Sequence, residues 1–422
     1  MTNEPETLPD CSAFPRSLVA GLDRGHLPSL DGIRAIAAFM VVFYHLNVLW
    51  ISGGTGVLVF FVLSGFLITW LLLKEEEQFG KLSLRLFYMR RTLRIMPAFY
   101  VYWFLIVGSL IAFSKHLHIA QAVSSFFYVN NYYQAVFGDP NTGLSHTWSL
   151  GVEEQFYLVW PFVVFALSRT SIRRVLIGII VVTLFAKATL AFCLQWQGMP
   201  DFGTGVIYYF ATPLRLDAFG IGAAIAVFDL TKWTVRPRWV LLAWACALLL
   251  GLMNASLGHH PDLPWSREGV VGRFWGGLSL GYPLFLLQNR QFIWGYAVID
   301  LVAGLLIISA TQANKLQQLC ANRPLVYLGR ISYGLYIWHW PILVLIMPVL
   351  PNPWSFAGVI CFGLFCAAAV GVAHLSYFGF ERRFLLLKTV FSQRKDSAIS
   401  SGHNRDQVIE GEVPGTARER QD

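Results

Sequence analysis

Apolar residues gather into long uninterrupted blocks along this chain, separated by short polar stretches. Blocks of roughly 17 to 25 apolar residues are long enough to cross a bilayer as helices. Such blocks lie at residues 33–50, 57–73, 97–113, 155–167, 175–194, 213–228, 239–256, 293–311, 331–350 and 356–377. They predict an all-α fold, a polytopic membrane bundle of about ten transmembrane helices. The block at 272–287 is a further candidate, interrupted by Gly276, Gly277, Gly281 and Pro283.

The polar stretches set the orientation, because basic residues stay on the cytoplasmic side. Lys74, Lys81, Arg85, Arg90, Arg91 and Arg94 follow the second block, and Arg169, Arg173 and Arg174 come two blocks later. Lys232, Arg236 and Arg238, then Lys315, Arg323 and Arg330, then Arg382, Arg383, Lys388, Arg394 and Lys395 continue the alternation. The intervening stretches carry little basic charge. Both termini are therefore expected in the cytoplasm, with an even number of spans. That assigns 272–287 to a re-entrant segment or to part of a long bent helix.

Three regions are expected: a polar cytoplasmic segment at 1–27, a membrane domain at 28–387, and a disordered cytoplasmic tail at 388–422, polar and poor in aromatics. The first segment does not resemble a cleavable signal peptide. No soluble domain is expected at either end.

Composition excludes an ordinary soluble protein. Of 422 residues, 55% are hydrophobic and 13% charged, where a soluble domain carries about a quarter charged residues. Mean hydropathy is +0.54. Fifteen tryptophans suit interfacial aromatic belts. Of the cysteines, Cys193, Cys246, Cys361 and Cys366 lie in apolar blocks, and no spacing suggests a metal site or a disulfide framework.

Candidate chemistry begins in the first block. Arg34 and His45 are eleven residues apart, which on a helix returns to nearly the same face about 16 Å further on. Ionisable residues at membrane depth are costly and mark functional candidates. Their plainer reading is a histidine bonded to a neighbouring helix and a snorkelling arginine. Arg91 and Arg94 share a face if their stretch is helical, and paired arginines grip phosphates; the plainer reading is a topogenic basic cluster.

The segment His146-Thr-Trp-Ser-Leu-Gly-Val-Glu153-Glu154-Gln-Phe-Tyr157 opens the fourth block from the outer side. Glu153 is expected on the same membrane side as His45, and Glu153 and Tyr157 share a face. His339, between Trp338 and Trp340, is read as structural. Arg215 and Asp217 are read as a buried pair, and Ser64-Gly65-Phe66 as close helix packing through small residues. Tyr128, Asn130, Asn131, Tyr132 and Tyr133 suit either sugar contacts or, slightly better, an interfacial belt.

Taken in order, the segments LPSLDGIRAIAAFMVVFYH, GVLVFFVLSGFLIT, FYMRRTLRIMPAFY, HTWSLGVEEQFYLVWP, RLDAFGIGAAIA and LGRISYGLYIWHWPIL resemble the acyltransferase-3 family, polytopic bacterial O-acyltransferases of surface glycans and related acceptors. The resemblance runs from about residue 27 to 384. It implies that Arg34 and His45 are essential, that Arg91 and Arg94 are the cytoplasmic arginine pair, and that Glu153 is the family's glutamate. The family's Glu-x-Pro end of the last span is Glu381-Arg-Arg383 here, without the proline.

The resemblance also implies a multi-pass protein of the bacterial inner membrane and an acyl-CoA co-substrate, acetyl by family habit. No permanently bound cofactor, metal or nucleic acid is expected. The acceptor would be a hydroxyl of a glycan, lipid-linked saccharide or other molecule outside. His45 is expected to act as general base and Glu153 to orient it or the acceptor. Arg34, Arg91 and Arg94 would bind the nucleotide, and Tyr157, Glu154 and Asp217 the acceptor. Rival readings are a transporter or flippase, a non-catalytic scaffold and a polyprenyl-dependent glycosyltransferase.

Overall fold

The computed structural model describes residues 27–46, 53–196, 207, 209–257, 291–346, 355–387 and 391. The expectations for the N-terminal segment, the 272–287 block and the C-terminal tail lie outside these residues. All regular structure among them is helical: α1 Pro28–His45, α2 Gly53–Phe79, α3 Leu84–Ala112, α4 Ile119–Phe126, α5 Asn130–Phe137, α6 Trp148–Ala166, α7 Arg169–Trp196, α8 Leu216–Val227, α9 Pro237–Leu257, α10 Gln291–Ala310, α11 Lys315–Cys320, α12 Arg323–Arg330, α13 Ser332–Ile346, α14 Phe356–Ser376 and α15 Arg382–Leu387. A π-helical turn, Tyr377–Glu381, joins the last two.

Each of the ten predicted blocks coincides with a helix over its described part. Among the described residues, five helices are long and apolar enough to cross a membrane: α2, α3, α7, α10 and the continuous run from α14 through α15. The protein is thus a membrane protein by its helices. Its outward faces agree, since Phe104 and Leu105 on α3, Val182 and Phe185 on α7, Leu241 on α9 and Leu364 on α14 are exposed apolar side chains. In water such a surface would be costly.

The middle of the bundle belongs to α2. Buried positions fill 78% of its apolar window, against 22% to 28% for α3, α7 and the α14–α15 run. Helix α8 lies tightly across it. A Cβ on Gly65 would sit 2.2 Å from the Phe219 carbonyl oxygen, and one on Gly222 would sit 1.9 Å from that of Val62. Only glycine allows this approach, as small-residue crossings in membranes require.

One boundary differs from the block pattern in a way that matters. Helix α3 starts at Leu84, capped by the Ser83 hydroxyl, which accepts from the Leu86 amide. The basic stretch is therefore helical and continuous with the third block, with Pro97 inside the helix. Arg91 and Arg94 consequently lie on one face.

The outer segment is built on buried amides. Asn130 Nδ2 donates to the Leu144 carbonyl and the Thr147 hydroxyl, and Asn131 Nδ2 to the Phe210 carbonyl and the Thr212 hydroxyl. Both asparagines are fully buried. Their amides hold this cap to α6 and to the turn before α8, rather than offering contacts to a sugar.

Candidate active site

Two cavities lie side by side in the bundle and share two lining residues, Val57 and Tyr336. The first is lined by Arg34 from α1, Ser64 from α2, Arg91 and Arg94 from α3, and Glu153, Glu154 and Tyr157 from α6. The predicted arginines thus converge although they come from two helices. Arg34 Nη1 lies 3.3 Å from Asp31 Oδ1, one turn back on its own helix. Arg91 and Arg94 form no ion pair or hydrogen bond with a described residue. The Arg91 guanidinium instead covers the ring of Tyr157 at 5.4 Å and that of Phe87 at 5.7 Å.

Along α6 a relay of polar groups forms the wall of this cavity. Tyr157 Oη donates to Ser64 Oγ at 2.8 Å, and Ser64 Oγ donates to Glu153 Oε1 at 2.8 Å. Ser64 is thus more than a small packing residue. Its hydroxyl fixes the carboxylate. Ser149, one turn before Glu153, lies 2.5 Å from the Tyr336 hydroxyl, which also donates to the His146 carbonyl at 3.0 Å. Successive turns of α6 therefore run from Tyr336 past Glu153 to Tyr157 and Arg91.

The second cavity is lined by Tyr44 and His45 from α1, Asp139 and His146 from the outer cap, Trp148 from α6 and Trp340 from α13. His45 Nδ1 lies 3.1 Å from His339 Nε2, with the two rings nearly parallel at an interplanar angle of 15°. Trp340 packs edge-on against His45, its ring centroid 4.6 Å away and tilted by 67°. His146 is 4% exposed, its ring centroid 5.5 Å from that of His339.

The sequence-derived residues divide unevenly over this geometry. Arg34, Arg91, Arg94, Glu153, Glu154 and Tyr157 occupy one cavity and His45 the other. Glu153, expected to orient His45 or the acceptor, is hydrogen-bonded to Ser64 and lines the cavity that does not hold His45. The Tyr157 hydroxyl is likewise committed to Ser64. Asp217 lies apart from both cavities: Lys187 Nζ lies 2.5 Å from its Oδ2, with both side chains at most 1% exposed, and Asp217 lines neither. Its expected partner Arg215 stacks instead on Tyr209 and Tyr296, at 4.9 and 3.9 Å from their ring centroids.

Two residues enter the site without having been singled out for it. His339 touches His45 across 294 positions, a separation no periodicity reports. His146 opens a recognisable segment, but its ring orientation depends on the packing of the outer cap.

Comparison with known proteins adds a family. A family model described as an acyltransferase domain matches residues 27–375. The chain is 32% identical over 356 residues to peptidoglycan O-acetyltransferase OatA of Listeria monocytogenes, a match covering 78% of this chain and 52% of that protein. It is 32% identical over 338 residues to the putative peptidoglycan O-acetyltransferase YrhL of Bacillus subtilis, covering 77% and 50%. It is 30% identical over 340 residues to O-acetyltransferase OatA of Staphylococcus aureus, covering 76% and 51%. The chain spans about half the length of the curated relatives it matches. No solved structure matches significantly.

Proposed function

The chain belongs to the acyltransferase family whose model spans residues 27–375, and from that membership we propose that it is a membrane O-acetyltransferase. It takes an acetyl group from acetyl-CoA at the cytoplasmic face of the inner membrane and passes it to a hydroxyl of an envelope glycan on the other side. The names of two of its relatives make peptidoglycan the leading acceptor. The observation that carries this reading is the pair of abutting cavities, one holding three arginines and the other His45, with Val57 and Tyr336 between them.

The arginine cavity suits the donor. Guanidinium groups without carboxylate partners are free to bind phosphate oxygens bidentately, and among the described residues Arg91 and Arg94 have none. Arg34 is partly neutralised by Asp31 and contributes less. Glu153 and Glu154 offset positive charge further along the cavity, so the phosphates are drawn to the Arg91–Arg94 end. The Glu153 carboxylate, one turn of α6 from the Ser149 that bonds Tyr336, can accept hydrogen bonds from amide N–H groups of the donor's pantetheine arm.

The histidine cavity suits the acceptor. Aromatic rings of Tyr44, Trp148, Tyr209 and Trp340 line it together with Asp139 and His146, a mixture of flat apolar faces and polar groups that sugars accept. His146 lines the same cavity, and a neutral imidazole offers a donor and an acceptor to hydroxyls. His45 Nε2 takes the proton from the acceptor hydroxyl as its oxygen attacks the thioester carbonyl. The C–S bond then breaks, and the departing thiolate takes that proton from the imidazolium, giving the ester and the free thiol.

The test supplies labelled acetyl-CoA to inside-out membrane vesicles that hold the protein and native envelope acceptors. Alkali-labile label in the glycan fraction is expected with the wild type and is expected to fall by about 10²-fold or more in His45→Ala, the usual contribution of general base catalysis. Wild-type labelling by an equally inserted His45→Ala protein would remove His45 from the chemistry. Label that is stable to alkali would remove the ester.

A further inference from the structure

We propose that His339 is a positioning residue that fixes the tautomer of His45 so that the His45 Nε2 lone pair faces the reacting hydroxyl. The inference rests on His45 being the general base and adds the device that makes it one.

The argument follows protons along two hydrogen bonds. His339 Nδ1 lies 2.7 Å from the carbonyl oxygen of Tyr336, one turn back on α13. A carbonyl only accepts, so His339 Nδ1 carries the hydrogen. A neutral imidazole holds one N–H, so the other ring nitrogen, Nε2, is a lone pair and can only accept. His339 Nε2 is the atom 3.1 Å from His45 Nδ1. His45 Nδ1 must then be the donor. Its own Nε2 is left as the basic nitrogen, on a ring that lines the acceptor cavity.

Packing makes His339 suited to this role and unsuited to the base role itself. It is 0% exposed, both its nitrogens are engaged, and it is not among the residues lining either cavity. The nearly parallel rings and the Trp340 edge against His45 limit rotation of the imidazole about its Cβ–Cγ bond. The charged groups of the neighbouring helices, Glu153, Arg91 and Arg94, line the other cavity. The orienting group is thus a second, neutral imidazole held by a backbone carbonyl. It does the work that a carboxylate does in other acid–base sites, where a wrong tautomer costs about 10⁴ in rate.

This arrangement predicts a spectrum as well as an activity. The full-length protein with ¹⁵N-labelled histidine, in lipid nanodiscs at a pH where His45 is neutral, should show His45 Nδ1 as the protonated, pyrrole-type nitrogen and Nε2 as pyridine-type. The assignment is made by difference against His45→Gln. The reverse pattern overturns the proposal whatever the variants do. For activity, His339→Gln keeps an acceptor oxygen for His45 Nδ1–H and should retain far more acyl transfer than the apolar His339→Leu. His339→Leu should lose about 10²-fold or more in kcat with little change in the KM for acetyl-CoA. Equal activity and identical pH profiles in His339→Leu and wild type would also overturn it. Loss of activity in His45→Ala alongside such an outcome would leave the base standing without its orienting partner, so the two claims fail separately.

Discussion

Arg91 and Arg94 are guanidiniums facing a cavity with no carboxylate of the described residues bound to them, and keeping two such like charges together costs free energy until an anion arrives. Removing one forfeits a charge-assisted contact worth about 1.5–3 kcal/mol. Arg91→Ala or Arg94→Ala is therefore expected to raise the KM for acetyl-CoA about tenfold or more with little change in kcat, measured as initial rates of CoA release in vesicles. Arg34→Ala, already held by Asp31, should do less. A fall in kcat at constant KM would assign the arginines to the reacting centre instead. The Arg34–His45 spacing was legible because both residues sit on one helix, where geometry is fixed by counting. Glu153 was legible as a site residue but not in its partner. That depended on how α6 is rotated against α2, where Ser64 intercepts the carboxylate. The partner of Asp217 was hidden for the same kind of reason: it is Lys187, thirty residues earlier on another helix.

At the scale of elements, the position of α2 is set by glycines. Its crossing with α8 brings backbone carbonyls to within 1.9 and 2.2 Å of where a Cβ would stand on Gly222 and Gly65. Gly65→Ala or Gly222→Ala must push the helices apart, at a cost of about 1–3 kcal/mol for overpacking. Ser64, adjacent to Gly65, would move with it, so a lower melting temperature in detergent and a weakened Ser64–Glu153 contact are expected together. Gly108 on the exposed face of α3 has nothing within 4 Å of its Cβ position. Gly108→Ala is the control and should melt at the wild-type temperature or above, and equal melting of all three variants would sink the close-crossing argument. The elements were the most legible level of this protein. Long apolar blocks predict helices because the bilayer forces backbone hydrogen bonds to close within a segment. The blocks do not say where a helix begins beyond the apolar part, which is why α3 extends back over its arginines. Nor do they say which buried amides, such as those of Asn130 and Asn131, are spent on holding the cap.

The whole molecule poses a problem that neither residues nor helices pose alone. On the proposed function, a thioester from one side must meet a hydroxyl from the other without opening a path for water between them. The separation falls to Tyr336 and Val57, the residues common to both cavities. The Tyr336 ring is held by its hydroxyl, which bonds Ser149 on the arginine side and the His146 carbonyl on the histidine side. Its backbone carbonyl holds His339. A partition of this kind must yield to the acyl arm and still exclude water, since a water molecule at His45 would take the acetyl group as readily as a sugar hydroxyl. Tyr336→Ala removes the ring and joins the cavities. Acetyl-CoA hydrolysis in the absence of acceptor is then expected to rise several-fold relative to transfer, read as CoA release against alkali-labile glycan label. Tyr336→Phe keeps the ring and loses hydrogen bonds worth about 1 kcal/mol each, so it should retain coupling while losing stability. If hydrolysis rises equally in both, the hydroxyl network rather than the ring is the barrier. If it rises in neither, the cavities are separated elsewhere, and the arrangement of donor and acceptor about Tyr336 falls with it.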